Sequence, residues 1–354
     1  MIYRASVVIA LFCAACSKTG GGEERASTKV DASLGGRGRL DSPGNDPAVV
    51  ALARSALACP PAPPAPFNAD CAAFRNWNTT GLFVGQPGRD ATLVNMLEDS
   101  DSRVRFLGAR GIARSEGYRV NGPLAARLVT AATNESEAET ALMLATAVSH
   151  IDVEKAHLTE EVIQFVKSRS VPEVRRAAFT HLLTANPKSR PVFVFALEAM
   201  KEPDEKIRFA LVDQLVFGAS GLDAEVCAAW EGRLEDPSGE VGGRAARNLG
   251  ASKQCLGNQD KLLEVVERRA TTIVPTGYVE GVHRMCDLDK TAAPAKVRGA
   301  AFARAVAGNK LNVSIARVAA LRAVETCDPA GARVFIAGFK NDGDREVAKA
   351  AGKP

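Results

Sequence analysis

The sequence predicts an all-α solenoid, and three observations lead to that prediction. A short phrase recurs, as VRRAAF at residues 174–179, IRFAL at 207–211, VRGAAF at 297–302 and ARVAAL at 316–321. The phrase or a looser copy also begins at Val104, Ala138, Val174, Ile207 and Val241, in steps of 34, 36, 33 and 34 residues. Such a period is typical of stacked helical pairs. Aromatic residues make up only 5% of the chain, and no block of alternating β-branched residues predicts a sheet.

The first fifteen residues are predicted to form a signal peptide. A short basic start ends at Arg4, an apolar run covers residues 5–12, and two small residues precede Cys16. The run is too short to span a bilayer, and this order is that of a secretory signal. The segment resembles the lipobox of bacterial lipoproteins, which implies diacylglycerol on Cys16, although Cys13 stands where that family usually has leucine. The alternative is a plain secretory signal that leaves Cys16 unmodified.

Residues 16–46 are predicted to be a flexible tether, because glycine, serine and charged residues dominate them. Residues 47–89 follow as a proline-rich cap region with one short helix near its start. The prolines between Cys59 and Cys71 predict an extended segment. A cap is expected here because the first repeat of a solenoid otherwise exposes its apolar face.

Residues 90–354 are predicted to form about eight helical hairpins, since apolar and small residues recur at helical spacing and turns contain proline or aspartate. The first helices are expected at roughly 90–98, 122–132, 158–168, 190–200, 223–234, 259–270, 295–307 and 329–340. The second helices are expected at roughly 102–114, 136–149, 172–184, 204–217, 239–249, 279–286, 313–326 and 343–352. Residues 271–289 are the least regular stretch and predict a degenerate repeat or an insertion.

The cysteines fit an oxidising compartment, because an even number follows Cys16. They are Cys59, Cys71, Cys227, Cys255, Cys286 and Cys327. Fifteen pairings are possible. Proximity within a solenoid favours Cys59–Cys71, Cys227–Cys255 and Cys286–Cys327, and the alternative is buried free thiols.

The repeated phrase resembles the HEAT-like repeat family, particularly its bacterial short-repeat branch. The likeness consists of a polar or acidic turn followed by Val/Ile-Arg-x-x-Ala-Ala-x-x-Leu, and it covers roughly residues 90–354. It implies an α-solenoid whose function is more often that of a scaffold or binding platform than of an enzyme. The arginine of the motif falls here on Arg105, Arg175, Arg208, Arg298 and Arg317.

In that family the motif arginine typically pairs with an acidic residue of a neighbouring turn. The resemblance therefore implies Asp101, Glu173 and Asp204 as partners. The chain departs from the pattern at residues 241–244, where two glycines precede the arginine. Each glycine weakens a helix by about 1 kcal/mol, so this copy predicts close backbone packing or local looseness.

The arginines expected on the second helices form a candidate binding face. Second helices usually line the concave side of a curved solenoid. A basic trough for an acidic peptide or polymer would consist of Arg175, Arg176, Arg208, Arg244, Arg298, Arg317 and Arg322. The competing interpretation is that each arginine pairs with a local carboxylate and stabilises stacking, which the balance of 45 basic against 41 acidic residues favours.

Signatures of catalysis are missing from the sequence, which has no nucleophile elbow and no phosphate-binding loop. A formal charge of +4 with interspersed basic residues leaves no footprint of nucleic-acid binding. His283 and Cys286 share a helix face and, with Asp289, come nearest to a metal-binding cluster. Because Cys286 is also a disulfide candidate, no metal or cofactor is expected.

These patterns predict a non-catalytic interaction scaffold in the bacterial cell envelope. The expected partner is protein, and the expected membrane contact is a lipid anchor on Cys16. Ser17 follows that cysteine, which in the lipoprotein family's sorting pattern implies the outer membrane, facing the periplasm. The alternative is a binder of an acidic peptide or envelope polymer through the arginine face. A lyase-like or metal-assisted enzyme is the third hypothesis.

Overall fold

The computed structural model describes residues 39–80, 86–114, 120, 122–186, 188–215 and 221–352. Within these residues the protein is helical and contains two isolated β-bridges but no β-strand. None of the described helices is both long and apolar enough to cross a membrane. The predicted signal peptide, Cys16 and most of the predicted tether lie outside the described residues.

Eighteen α-helices form the described part of the chain. The first two are α1 (Pro47–Leu57) and α2 (Ala72–Thr79). The later odd-numbered helices are α3 (Pro87–Met96), α5 (Gly122–Asn134), α7 (Thr159–Ser168), α9 (Arg190–Glu198), α11 (Asp223–Glu231), α13 (Gln259–Arg269), α15 (Ala293–Gly308) and α17 (Pro329–Ala337). The later even-numbered helices are α4 (Ser102–Ala113), α6 (Ala138–Ala147), α8 (Pro172–Ala185), α10 (Glu205–Gln214), α12 (Gly239–Ala251), α14 (Thr276–Asp287), α16 (Ser314–Cys327) and α18 (Arg345–Ala351).

Helices α3 to α18 form eight hairpins that stack in two rows. Each even-numbered helix from α4 to α16 contacts the next even-numbered helix, and the helices α4 to α18 of this series form the even row. The odd-numbered helices form the odd row, in which most neighbours also touch. The predicted all-α solenoid is therefore confirmed, and the eight hairpins agree with the number expected from the repeat period.

Capping residues determine where several even-numbered helices begin. Asp101, Asp204 and Asp344 accept hydrogen bonds from backbone N–H groups in the first turns of α4, α10 and α18. Such caps satisfy donors that have no partner inside the helix. The apolar face of each helix is then buried between the rows. In α8 this face contains Val174, Ala178, Phe179, Leu182 and Leu183.

The N-terminal cap region packs on the first hairpin through α1, which contacts α3 and α4. Its aromatic centre consists of Phe67, which stacks on Phe74 with ring centroids 4.8 Å apart, and Phe106 of α4 beside them. The sequence predicted that the proline-rich segment is extended, but the segment is not extended throughout. Ala62 and Ala65 exchange two backbone hydrogen bonds, so the chain reverses direction between them.

The stretch at residues 271–289 is not an insertion, because it contains α14, which packs directly on α12. Glycines make this seam close. A Cβ atom on Gly277 would lie 2.6 Å from the backbone of Gly243, and one on Gly250 would overlap the carbonyl of Gly281. The glycines in the departing copy of the motif therefore serve close backbone packing, which was one of the two expectations.

The close seam makes the substitution Gly250→Ala destabilising. Its Cβ meets backbone rather than a side chain that can rotate away, so we expect a loss of about 2–3 kcal/mol in the free energy of unfolding. Gly308→Ala is the matched control, because a Cβ at the end of α15 meets nothing within 4 Å. The control should be neutral or slightly stabilising. Urea unfolding followed by circular dichroism measures both, and equal stability of the two variants would contradict the close seam.

Candidate interaction surface

An arginine near the start of an even-numbered helix ties three backbone segments together. Nε and Nη2 of Arg208 donate hydrogen bonds of 2.8 Å to the carboxylate of Asp236, which lies in the turn before α12. Nη1 donates at 2.8 Å to the carbonyls of Glu202 and Pro203, in the turn before α10. Asp236 also accepts the backbone N–H of Ser238 at 2.9 Å. Both ends of this ion pair are buried.

On three further even-numbered helices the arginine at this place also pairs with a carboxylate, and we call the four arginines the arginine clamps. Arg105 also donates to two carbonyls of its own turn, and Arg317 to that of Ala307. The other three ion pairs are Arg105–Glu135 at 2.8 Å, Arg175–Glu202 at 3.2 Å and Arg317–Asp342 at 2.6 Å. In each pair the carboxylate belongs to the turn of the following hairpin.

The partners implied by the family resemblance are therefore wrong, since none of Asp101, Glu173 and Asp204 is the carboxylate of a clamp. Two of them, Asp101 and Asp204, cap helices instead.

Hydrogen bonds and charge lower the pKa of three clamp carboxylates, those of Glu135, Asp236 and Asp342. Burial raises the pKa of Asp236, but hydrogen bonds from Arg208 and from the backbone of Ser238 outweigh it, so the pKa lies below its ordinary value. The hydrogen bond from Arg317, with a second from the backbone of Asp344, lowers the pKa of Asp342 to about 2. The guanidinium groups of Arg105, Arg208 and Arg317 therefore face a full negative charge at neutral pH.

Among the even-numbered helices from α4 to α16, three lack a clamp, and the turn between the two helices of the next hairpin then lacks an acidic residue. The three helices are α6, α12 and α14. The turns of the hairpins that follow them lie at residues 169–171, 270–275 and 309–313. At α12, glycine replaces the clamp arginine, and Tyr278 of α14 occupies the space. The Tyr278 hydroxyl donates at 2.6 Å to the carbonyl of Leu234, a turn carbonyl like those that clamps bind. A tyrosine from the next helix thus replaces one arm of the clamp.

The structure places five of the seven candidate face arginines in ion pairs. Besides Arg175, Arg208 and Arg317, Arg244 lies 3.2 Å from Asp213 across the α10–α12 boundary. Arg298 lies on α15 in the odd row, where it pairs with Glu267 and Asp260.

The prediction that all seven arginines share one face is therefore wrong for Arg298. The phrase VRGAAF belongs to an odd-numbered helix, so this arginine is on the other row. Arg176 and Arg322 form no ion pair within the described residues. Arg322 is exposed on α16, whereas Arg176 is half-buried on α8.

The six described cysteines form three disulfides, and these are the pairs that proximity favours. Cys59–Cys71 closes the cap loop, with a Cα–Cα distance of 5.9 Å. Cys227–Cys255 and Cys286–Cys327 link neighbouring segments of the C-terminal hairpins, with Cα–Cα distances of 5.5 and 5.0 Å. The bond to Cys327 occupies the thiol of the proposed cluster with His283. Among the described residues, no group of three or more His, Cys, Asp or Glu side chains could hold a metal ion.

A surface groove of about 340 Å³ lies on the even row over the α12–α14 seam. Gly243 and Gly277 form part of its lining, since no side chain there fills the space between the helices. Phe209, Pro275 and Ile315 supply its apolar walls. Ile315 is 67% exposed, although it is a large aliphatic residue.

The rim of the groove is charged with both signs. Arg247 of α12 and Glu280 of α14 lie 3.3 Å apart across the seam, and both side chains are more than one third exposed. The guanidinium of Arg244 stands 5.2 Å from the centre of the Phe209 ring. Glu240 adds an exposed carboxylate at the start of α12. An apolar interior with a polar rim is the usual composition of a site for a protein segment.

Sequence reasoning did not find this groove, although its signal was present. Gly-Gly at residues 242–243 and two further glycines, Gly277 and Gly281, lie on adjacent even-numbered helices.

A scan against protein-family models finds no match to the chain, and a search of curated proteins finds none either. Evidence on function therefore comes from the surface itself.

The buried clamp predicts a large difference between two adjacent substitutions. Asp236→Asn leaves the buried Arg208 guanidinium without its counter-charge, so we expect a loss of about 3 kcal/mol in the free energy of unfolding. Glu235→Gln is the matched control. Its ion pair with Arg268 is more than half exposed at both ends, and such pairs contribute little. Chemical unfolding of the two variants measures the difference. Equal stability would mean that the clamp does not hold the turns.

Proposed function

We propose that this chain is a non-catalytic helical-repeat scaffold of the bacterial cell envelope, anchored by lipid on Cys16. Its groove over the α12–α14 seam binds an extended segment of a protein partner. The groove is the observation that supports this proposal most directly. It combines an exposed aliphatic side chain, Ile315, with a backbone-lined floor and a rim of both charges.

The composition of the groove suits a protein segment better than a highly charged ligand. An apolar side chain can contact Phe209, Pro275 and Ile315, and a neighbouring backbone can approach the glycines closely. The exposed Arg247–Glu280 pair contributes little to stability. Arg247 and Glu280 can therefore each pair with a charged group of a partner instead of with one another.

The surroundings of the groove keep it in one shape before a partner arrives. Cys227–Cys255 fixes the hairpin that contains α12, and Cys286–Cys327 joins α14 to α16. The clamp between Arg208 and Asp236 fixes the turn where α12 begins. A preformed site loses less conformational entropy on binding. Three disulfides also support export, since such bonds persist in oxidising compartments.

The alternative function, an acidic ligand on the arginine face, has weaker support. Five of the seven arginines already pair with carboxylates of the chain. An acidic ligand has to displace those carboxylates, two of which, Asp236 and Asp342, are almost fully buried as side chains. The family resemblance to HEAT-like repeats likewise favours a binding platform.

Photo-crosslinking in the native host tests the groove. A crosslinking residue at Ile315 should give one discrete protein adduct, because this side chain lies at the groove. The same residue at Val334 is the matched control, since it is also an exposed aliphatic position, 82% accessible, but lies on α17 in the odd row. Equal adducts from both positions would contradict a groove-specific partner. Loss of the adduct in the double variant Arg176→Ala and Arg322→Ala would favour the arginine face instead.

Intact mass of the protein from the host's membrane fraction tests the anchor. The expected species begins at Cys16 with added diacylglycerol and acyl mass, and Cys16→Ser is the control that should remove both. Reduction should add the six hydrogens of three disulfides. An unmodified chain that still carries Met1 and free thiols would overturn the export and anchor proposals together.

A further inference from the structure

Two adjacent turns of the solenoid expose aliphatic side chains that the fold does not use. Ile273 lies in the turn between α13 and α14, and Leu311 and Val313 lie in the turn between α15 and α16. Their exposed fractions are 63%, 72% and 56%. The turns contact each other, because Asn309 Nδ2 donates to the carbonyl of Thr272 at 3.2 Å. We call Ile273, Leu311 and Val313 the turn patch.

The charge of these two turns differs from that of most others along the same edge. Five of the eight turns that lead from an odd-numbered helix to an even-numbered one contain Asp or Glu, which cap helices or bind clamps. The turns at residues 270–275 and 309–313 contain neither, and their charged residue is the exposed Lys310. The third turn without an acid, at residues 169–171, lies apart from them. Asp344 of the next turn accepts a hydrogen bond from Ser314 beside the patch, but the charged side chain within the two turns is basic, and a basic group complements an anionic surface.

Four backbone N–H groups in these turns donate hydrogen bonds within the chain. The N–H of Thr272 donates to the carbonyl of Arg269 at 2.9 Å, and that of Val274 donates to Asn312 Oδ1 at 2.7 Å. The N–H of Leu311 and that of Asn312 both donate to Asn309, at 3.0 and 3.1 Å. Backbone that enters an apolar layer needs internal partners, because lipid chains supply none.

We propose that the turn patch rests on an anionic lipid surface, with its aliphatic side chains among the acyl chains and Lys310 at the headgroups. The patch lies at turn tips rather than in a groove, so it suits shallow insertion into an interface better than the capture of a peptide. The inference rests on the proposed function only in that an anchor on Cys16 keeps the chain beside a membrane. The patch then orients the solenoid on that membrane.

Tryptophan fluorescence tests the patch in the full chain carrying Cys16→Ser, so that no lipid can be attached. Leu311→Trp places a reporter in the patch, and Val334→Trp places one at an equally exposed site on α17. The two native tryptophans are buried and give a constant background. Vesicles of phosphatidylglycerol and phosphatidylethanolamine should shift the emission of the Leu311→Trp variant to the blue and leave the Val334→Trp variant unchanged. No shift, or the same shift in both, would overturn the proposal.

Vesicle co-sedimentation of the same full chain gives a second measurement. Leu311→Asp should weaken binding at least tenfold, because it replaces an apolar group with a charge of the wrong sign. Lys310→Gln should weaken it about fivefold. Full binding by the Leu311→Asp variant would overturn the proposal. So would a blue shift of the Leu311→Trp variant that grows with protein concentration without vesicles, since it would indicate a second copy on the patch.

The outcomes separate this inference from the proposed function. Leu311→Asp should leave the crosslink at Ile315 intact, so its loss of vesicle binding reports on the patch alone. Vesicle binding by a chain whose Cys16 proves unmodified in the host would support the patch while removing the anchor. A crosslink without vesicle binding would keep the groove and overturn the patch.

Discussion

Each arginine clamp fixes the position of one hairpin relative to the next, and the regular part of the solenoid depends on this contact. Every repeat touches only its neighbours, so the register of the stack is determined one interface at a time. Arg208 binds two carbonyls of its own turn and the carboxylate of the next turn with fixed fork geometry. A buried ion pair adds little net stability over a well-packed apolar pair. Its contribution here is therefore to specify geometry, and the apolar faces between the rows supply most of the free energy of folding.

The two surfaces proposed for binding occur where the clamps are missing. Neither α12 nor α14 carries a clamp arginine. Helices α12 and α14 are instead held together by glycine contacts and by the hydrogen bond from Tyr278 to the carbonyl of Leu234. Because glycines of α12 and α14 meet through their backbones, no side chain fills the space above the seam, and this space is the groove. The following turns no longer need acidic residues, so aliphatic side chains occupy them instead. The groove and the turn patch thus both lie at interfaces that lack a clamp.

The repeat period was sufficient to predict the rows and the hairpins, because buried positions such as Val174 and Ala178 recur at helical spacing. It could not predict the clamp partners, since the offset that brings Glu135 to Arg105 arises from stacking and not from local sequence. Arg298 was assigned to the wrong face because the same phrase also suits an odd-numbered helix that packs on both sides. The groove could not be predicted because it forms where glycines of two separate helices, α12 and α14, face each other. The sequence shows the glycines but not that the two helices contact each other there.

The groove and the turn patch meet at the start of α16, and this arrangement gives the proposals a common geometry. Ile315 lines the groove, while Val313 belongs to the patch two residues earlier. Between α14 and α16 the disulfide Cys286–Cys327 removes most of the freedom of these elements to move apart. A solenoid that rests on lipid through Leu311 and Val313 therefore holds the α12–α14 groove at a fixed height above the membrane. The proposed anchor on Cys16 would not do so by itself, because the glycine- and serine-rich composition of the sequence that follows it does not predict a fixed orientation.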